Sequence, residues 1–411
     1  MTNQPIPHAV AHVPLRRTLT LPLLALYGLG VTVGAGIYVL IGATAAEAGA
    51  QAWLAFLVAA AVVAFTAFSY AELSTRYPVS AGEAAYVEAG LQRRWIATGA
   101  GLLVALAGVV SASAVAIGAA GYLAGLTGLP QTGLIAAVVV TMGLIAWWGI
   151  TQSVTVAGVV TVLEILGLLF VILWGFGVAE RGGVAPASLL PGRDPEQWIG
   201  VAAASLLAFF AFIGFEDMVN VAEEVKDPVH AMPRAIFLTL VLATLLYVVT
   251  CIAVLISVPI DALAASAAPL MLVFSNAPEW VRAGFSSIAI VATVNGVLIQ
   301  MIMASRVLYG LADRGQLPAI FAQVSPTTRT PTIATTSVAV IILAFSLLLP
   351  IEDLAGWTSQ IILGIFAMVN LSLICLKARG TASGDHFHTP LFVPVLGVLT
   401  STALLFSGFI I

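Results

Sequence analysis

The sequence predicts an all-α polytopic membrane protein, and three observations carry that prediction. Its 411 residues are 61% apolar and only 8% charged, with a mean hydropathy of +1.09. A soluble domain carries about 25% charged residues, so this chain cannot cover a water-facing surface. Eleven apolar stretches approach the roughly 20 residues that cross a bilayer: 19–45, 52–76, 96–123, 133–150, 154–178, 198–221, 235–258, 281–306, 331–349, 354–376 and 390–411. The 15 basic residues divide unevenly between alternate connections. Arg16, Arg17, Arg76, Arg93, Arg94, Lys226, Arg234, Arg306, Arg314, Arg329, Lys377 and Arg379 share one side, against Arg181, Arg193 and Arg282 on the other. The richer side is read as cytoplasmic, with the N-terminus on it.

The elements follow in order. Residues 1–18 form a cytoplasmic tail with no apolar run before Leu19, unlike a cleaved signal peptide. Span one contains "GVTVGAGIY" (30–38), with glycines at 28, 30, 34 and 36 near mid-membrane. An unsatisfied backbone group there costs several kcal/mol. Glycine permits a break that exposes backbone, or it lets helices pack closely. Packing accounts for glycines such as Gly99, Gly101, Gly108 and Gly118. Residues 76–95 are an inside connection with a short interfacial helix. Spans four and five are separated only by residues 151–153. Residues 181–197 form an outside loop rich in proline and glycine, and 259–280 an outside segment with a short lid helix near Pro269–Ser275.

Span six reads "FFAFIGFEDMVNVAEE" (209–224) and sets Gly214, Glu216 and Asp217 in an apolar run. Spans one and six each begin a series of five. The domains are therefore a first repeat at 19–178, a second at 198–376 and an additional span at 390–411. Interrupted spans at matching places in two halves point to a transporter site. Helix N-termini favour an anion, and carbonyl ends favour a cation. A zwitterionic amino acid needs both.

Four segments resemble the amino acid–polyamine–organocation superfamily of permeases. They are "GVTVGAGIYVLIG", "FSYAELSTRYPVSAGEAAYV", "FFAFIGFEDMVNVAEEVKDPVHAMPRAI" and "ASRVLYGLADRGQLPAIFAQVSPTTRTP", in order from residue 30 to 331. The resemblance implies the leucine-transporter architecture, an inverted 5+5 repeat with spans one and six discontinuous. Family members usually have twelve spans, against eleven here. The resemblance further implies that the N–H groups of Ala35, Gly36 and Ile37 receive the substrate carboxylate. The carbonyls of Thr32, Phe210 and Ile213 receive its ammonium. Some relatives have serine at the Ala35 position and add a hydroxyl bond that is absent here. Phe210 matches an aromatic that closes over substrate, or it is ordinary packing. Gln300 faces the site beside the adaptable Met301 and Met303. Neutral amino acids rank first as substrate, and cationic amino acids or polyamines second. On this reading Gly36→Val abolishes binding in a folded protein.

Charges inside spans default to functional hypotheses. Glu72 lies one turn before Arg76 and is read as a structural pair. Glu164 sits mid-span where many relatives carry lysine, in place of a sodium ion of the wider fold. A carboxylate at this depth carries a proton as the coupling group. Alternatively it ligates sodium together with Asn295 and carbonyls around Gly30–Val33, or it is a permanently neutral structural group. Proton coupling ranks first. Glu216 is expected to bridge span six to span one or ten in a gating role. Asp217, Glu223 and Glu224 are expected in solvated or ion-paired contacts with Lys226, Arg234 or Arg314.

Other classes fit poorly. The five histidines lie outside the spans, no H-E-x-x-H occurs, and Cys251 and Cys375 have no zinc spacing. No enzyme activity, cofactor or resident metal is expected. A net charge of −4 spread over loops argues against nucleic acid as a partner. A non-transporting amino acid sensor on the same fold stays open, because fold alone does not fix function. So do a sodium-coupled permease or exchanger, the direction of transport and the oligomeric state. The expectation is a proton-coupled symporter in a bacterial inner membrane, working by alternating access.

Overall fold

The computed structural model describes residues 17, 19–78, 82–148, 154–177, 182–328, 330–380 and 385–410. The expected contents of 1–16, residues 151–153, Arg181 and Arg329 lie outside the described residues. Among the described residues there are fourteen α-helices. They are α1 (Leu21–Thr32), α2 (Ala35–Ala48), α3 (Ala52–Arg76), α4 (Gly82–Leu91), α5 (Arg94–Thr127), α6 (Gln131–Trp148) and α7 (Val154–Gly177). The second half contains α8 (Pro195–Phe210), α9 (Pro228–Ser257), α10 (Ile260–Ala264), α11 (Glu279–Asp313), α12 (Thr332–Leu348), α13 (Ile351–Ala378) and α14 (Phe392–Ile410).

Eight described stretches are long and apolar enough to cross a membrane, accompanied by the shorter apolar helices Leu21–Thr32, Thr332–Leu348 and Phe392–Ser407. One of the eight, Gly36–Arg76, holds two crossings, because a turn at Gly49–Gln51 joins α2 to α3. With α1 and α2 as halves of one crossing, eleven crossings result at the expected places. The chain is an all-α polytopic membrane protein in which the first span of each five-span series is discontinuous.

Span one breaks at Val33–Gly34, between α1 and α2. Span six breaks at Ala211–Gly214 and resumes as a 3-10 helix, Phe215–Glu224, rather than an α-helix. Local chemistry sets the ends of other elements. The Asp194 side chain accepts from the Glu196 N–H with Pro195 in the first turn, which starts α8. Gly128, left-handed at φ +69°, ends α5. The broken spans also meet at their start and finish: the Leu19 N–H donates to the Glu224 carbonyl (2.9 Å), and the Lys226 N–H donates to the Leu19 carbonyl (3.0 Å).

Two connections refine the sequence reading. The short helix expected at 76–95 is α4. It is wedged between α5 and α13 and buries Glu83, Tyr86 and Val87. The expected outside lid is α10 followed by a 3-10 helix at Pro269–Phe274, whose Phe274 ring stacks on Phe170 at 5.0 Å.

The Glu72–Arg76 pair is present, and Lys377 joins it. The fully buried Glu72 carboxylate lies 2.5 Å from the Arg76 guanidinium and 2.7 Å from the Lys377 ammonium. It also accepts from the Thr389 N–H at 2.8 Å. Removing one partner of a buried pair leaves the other charges uncompensated, at about 3–5 kcal/mol. Glu72→Ala is therefore expected to lower the unfolding midpoint of the purified protein sharply, whereas an unchanged midpoint would show that the cluster contributes no stability.

Candidate functional site

The two breaks face one another. Gly36 lies so near span six that a Cβ on it would come within 2.6 Å of the Ala211 Cα. Gly214 has φ +120°, and a Cβ there would collide with the Val31 carbonyl oxygen. Glycine is required at this crossing by close approach at one position, and by approach and conformation at the other. At Gly34, at the break itself, a Cβ would meet only the Gly30 carbonyl oxygen, at an ordinary contact distance of 3.8 Å. The glycines of "GVTVGAGIY" thus serve both readings of the sequence: a break at Gly34, and close packing at Gly36 and at Gly30, which faces the Thr161 hydroxyl. This corrects the expectation for Gly36→Val. The valine would strike the backbone of span six, so the variant disturbs packing as well as any ligand.

Beside the crossing lies a cavity of about 490 Å³, its open mouth included, with Thr32, Gly36, Phe210, Ile213 and Gln300 in its wall. Val115, Ala292 and Ile299 make other parts of the wall apolar. Glu164 and Asn295 line the same cavity next to Gly30 and Val31. Of the residues singled out from sequence, the structure brings seven to one chamber. Ile37 is not among the described lining residues, and the Ala35 side chain lies outside the described residues. Both belong to the first turn of α2, whose N-terminus has no side-chain cap. The first N–H groups of a helix have no partner within it.

The expected cation ligands are partly engaged. The Tyr247 hydroxyl lies 2.6 Å from the Thr32 carbonyl and 2.8 Å from the Ala211 carbonyl. The Phe210 carbonyl accepts from the Ile213 N–H at 3.2 Å. Two of the three carbonyls therefore already have a protein donor, and each keeps one lone pair for a ligand. Tyr247 ties the two breaks together, and nothing in the sequence around it, "ATLLYVVTC", distinguishes it from a packing residue. Tyr247→Phe keeps the ring against Phe56 and Phe212. It strips the donor from buried carbonyls, at about 1–3 kcal/mol. The expected result is a lower melting temperature in detergent, and a wild-type melt would deny the tie.

Glu164 is 1% exposed. Its carboxylate interacts with Asn295, while neither oxygen closes a hydrogen bond of ordinary geometry. Its backbone carbonyl accepts from the Tyr38 hydroxyl (2.7 Å), and the Tyr38 carbonyl accepts from the Tyr122 hydroxyl (2.7 Å). The carboxylate is thus set on a rigid helix facing the break in span one.

A second cavity adjoins the first and shares Ser111, Ile213 and Gln300 with it. Glu83, Glu216 and Asp217 line it with Tyr70 and Met303. This placement corrects two expectations. Among the described residues Glu216 makes no hydrogen bond or ion pair to another span: it folds back to accept from the Gly214 N–H at 2.9 Å, capping its own break. Asp217 lies in the wall of this chamber rather than in solvent, and among the described residues none of the expected ion pairs with Lys226, Arg234 or Arg314 forms. The side chain of Glu223 lies outside the described residues. Met301 packs against α6 at Gly143 instead of the cavity. Glu83, in "SAGEAAYV", is a site residue that the sequence reading did not single out. Here it accepts from the Tyr70 hydroxyl at 3.1 Å, and burial holds its carboxyl above the usual carboxylate range.

Among the described residues one histidine–carboxylate group, Glu72 with His386 and His388, brings its ligand atoms within 4.8 Å. Its carboxylate is already occupied by Arg76, Lys377 and the Thr389 N–H, so it does not fit a metal ion.

Comparison with known proteins agrees with the geometry. A family model described as amino acid permease matches residues 19–411. The chain is 33% identical to a vacuolar cationic amino acid transporter 2 of Arabidopsis thaliana, over 88% of this chain and 60% of that protein. It is 30% identical to a branched-chain amino acid permease of Bacillus subtilis, over 97% of this chain and 88% of the other. A methylthioribose transporter of the same bacterium is 27% identical over 94% and 87%. The chain spans about three fifths of the length of the plant relatives it matches.

Proposed function

We propose that this chain, which belongs to the amino acid permease family, is a secondary active transporter that carries a neutral amino acid by alternating access with a proton as coupling ion. The family is one of permeases and not of enzymes, and its description names amino acids as cargo. The single observation behind the finer reading is the meeting of both broken spans with Glu164 in one chamber. The uncapped N-terminus of α2 supplies N–H groups for the carboxylate, and the carbonyls of Thr32, Phe210 and Ile213 supply the opposite end for the ammonium. The apolar wall of Phe210, Ile213 and Ile299 suits an uncharged side chain, with Gln300 as the polar limit. Residues 19–178 and 198–376 act as the two repeats, and 390–411 as an added span. Spans one, two, six and seven rock against three, four, eight and nine, with the N-terminus in the cytoplasm of a bacterial cell.

Glu164 takes a proton in one orientation and releases it in the other. Sodium is the alternative ion, held by Glu164, Asn295 and carbonyls of Gly30–Val33. A second substrate reading rests on the adjoining chamber: Glu83, Glu216 and Asp217 beside Gln300 suit a cationic side chain. Uptake of labelled alanine, leucine, lysine and arginine into proteoliposomes tests these readings, under an imposed proton or sodium gradient. Accumulation of alanine or leucine driven by the proton gradient is expected. Sodium dependence would replace the coupling ion, and preference for lysine or arginine would replace the substrate. Binding without counterflow would favour a sensor.

A further inference from the structure

Gly108 lies on α5 where the two chambers meet. Ser111, one turn further along the same helix, lines both chambers, as do Ile213 and Gln300. Gly108 lines the second chamber together with Gln300 and Met303 of α11. A Cβ on Gly108 would come within 2.8 Å of Met303 Cε and 3.3 Å of Gln300 Oε1. The space that a side chain at 108 would fill is therefore taken by the tips of two chamber-lining side chains. A glycine inside a helix costs about 1 kcal/mol relative to alanine. Close helix packing is the common reason for one in a membrane. Gly101, on the same helix, has that simple role. A Cβ there would meet the Leu311 side chain at 3.1 Å, and Leu311 is not among the described lining residues of either chamber. Gly108 differs because its neighbours across the contact border the passage. Gln300 and Met303 lie back against α5 at this point. A methyl at 108 would make both turn, and the space open to them is the chamber. Past this point the second chamber holds about 380 Å³, its mouth included. Ile362, Ile365 and Phe366 of α13 make one side of it apolar.

We propose that Gly108 is a specificity-determining residue. It keeps the passage between the chambers open, so that the side chain of a bound amino acid runs past Gln300 into the second chamber. Gln300 thus bounds the first chamber without closing it. The substrate class that follows is amino acids with the reach of methionine rather than of alanine, since a methyl side chain ends inside the first chamber and leaves the second unfilled. This rests on the reading above, in which backbone groups of the broken spans hold the substrate's carboxylate and ammonium in the first chamber.

Equilibrium binding of labelled methionine and labelled alanine to the purified full-length protein tests it. Wild type is expected to bind methionine more tightly. Gly108→Ala is expected to lower the methionine-to-alanine affinity ratio by about tenfold or more, the scale on which one methylene is discriminated in an apolar pocket. Gly101→Ala should keep the wild-type ratio. Adding Met303→Ala to Gly108→Ala removes the side-chain tip that the new methyl displaces, and should return the ratio toward wild type. If Gly108→Ala does not fold, Met303→Ala alone is expected to raise the affinity for phenylalanine relative to alanine, and an unchanged ratio there would overturn the proposal. So would an unchanged methionine-to-alanine ratio in Gly108→Ala, or an equal drop in Gly101→Ala. Wild type that binds alanine but not methionine would overturn the proposal and leave the transport reading standing. Binding of neither would remove the neutral-substrate reading, and the proposal with it.

Discussion

Glu164→Gln is expected to abolish proton-driven accumulation while sparing exchange. Glutamine matches the shape of the carboxyl and can still meet Asn295, but it carries no transferable proton. Two pH units are worth about 2.7 kcal/mol per proton, which sustains roughly 100-fold accumulation at one proton per substrate. Wild type should approach that ratio in proteoliposomes, and the variant should only equilibrate substrate. Counterflow of labelled against unlabelled substrate should continue, since it needs the cavity and the rocking motion but no net proton. Undiminished proton-driven accumulation by the variant would remove Glu164 from the coupling role.

Gly214→Val has the second largest expected effect, and it acts on the fold that makes the site. A side chain at φ +120° costs on the order of 1–3 kcal/mol in backbone strain. The collision with the Val31 carbonyl adds about 1–3 kcal/mol of overpacking. These penalties fall where the broken spans cross, so the variant should melt at lower temperature and lose substrate binding together. Gly214→Ala should fall between, having the same backbone conformation and less bulk. Wild-type melting of both variants would mean that the spans do not approach as closely as the crossing requires.

Much of this arrangement was legible in the sequence because the bilayer restricts what a chain can do. Apolar length alone located the crossings, and a glycine followed by an acidic pair pointed to the break that ends at Gly214. The spacing of Glu72 and Arg76 gave their pair. What stayed hidden depends on which distant segments meet. Gly36 reads as a helix terminus donating to a ligand, but its contact with Ala211 appears only once span six is in place. Tyr247 is one aromatic among many in an apolar helix until its hydroxyl reaches the Thr32 and Ala211 carbonyls. Asp217 reads as a solvated or ion-paired residue and Glu83 carries no signal of its own, since a sequence does not show that α4 packs between α5 and α13. Lys377 and Thr389 lie more than 300 residues from Glu72, beyond the reach of any periodicity.

The chamber at the crossing can be probed directly by a single thiol. Ser111 lines both cavities and is 5% exposed. Ser111→Cys would report on substrate entry through its rate of alkylation in the full-length protein. The native Cys375 is half-buried on α13 and serves as the internal control, and Cys251 is buried. Saturating transported amino acid is predicted to slow alkylation at position 111 by about tenfold or more, as expected for a site occluded by ligand, with Cys375 unaffected. Equal rates with and without substrate, for an amino acid that the same protein demonstrably transports, would contradict a binding site between the broken spans.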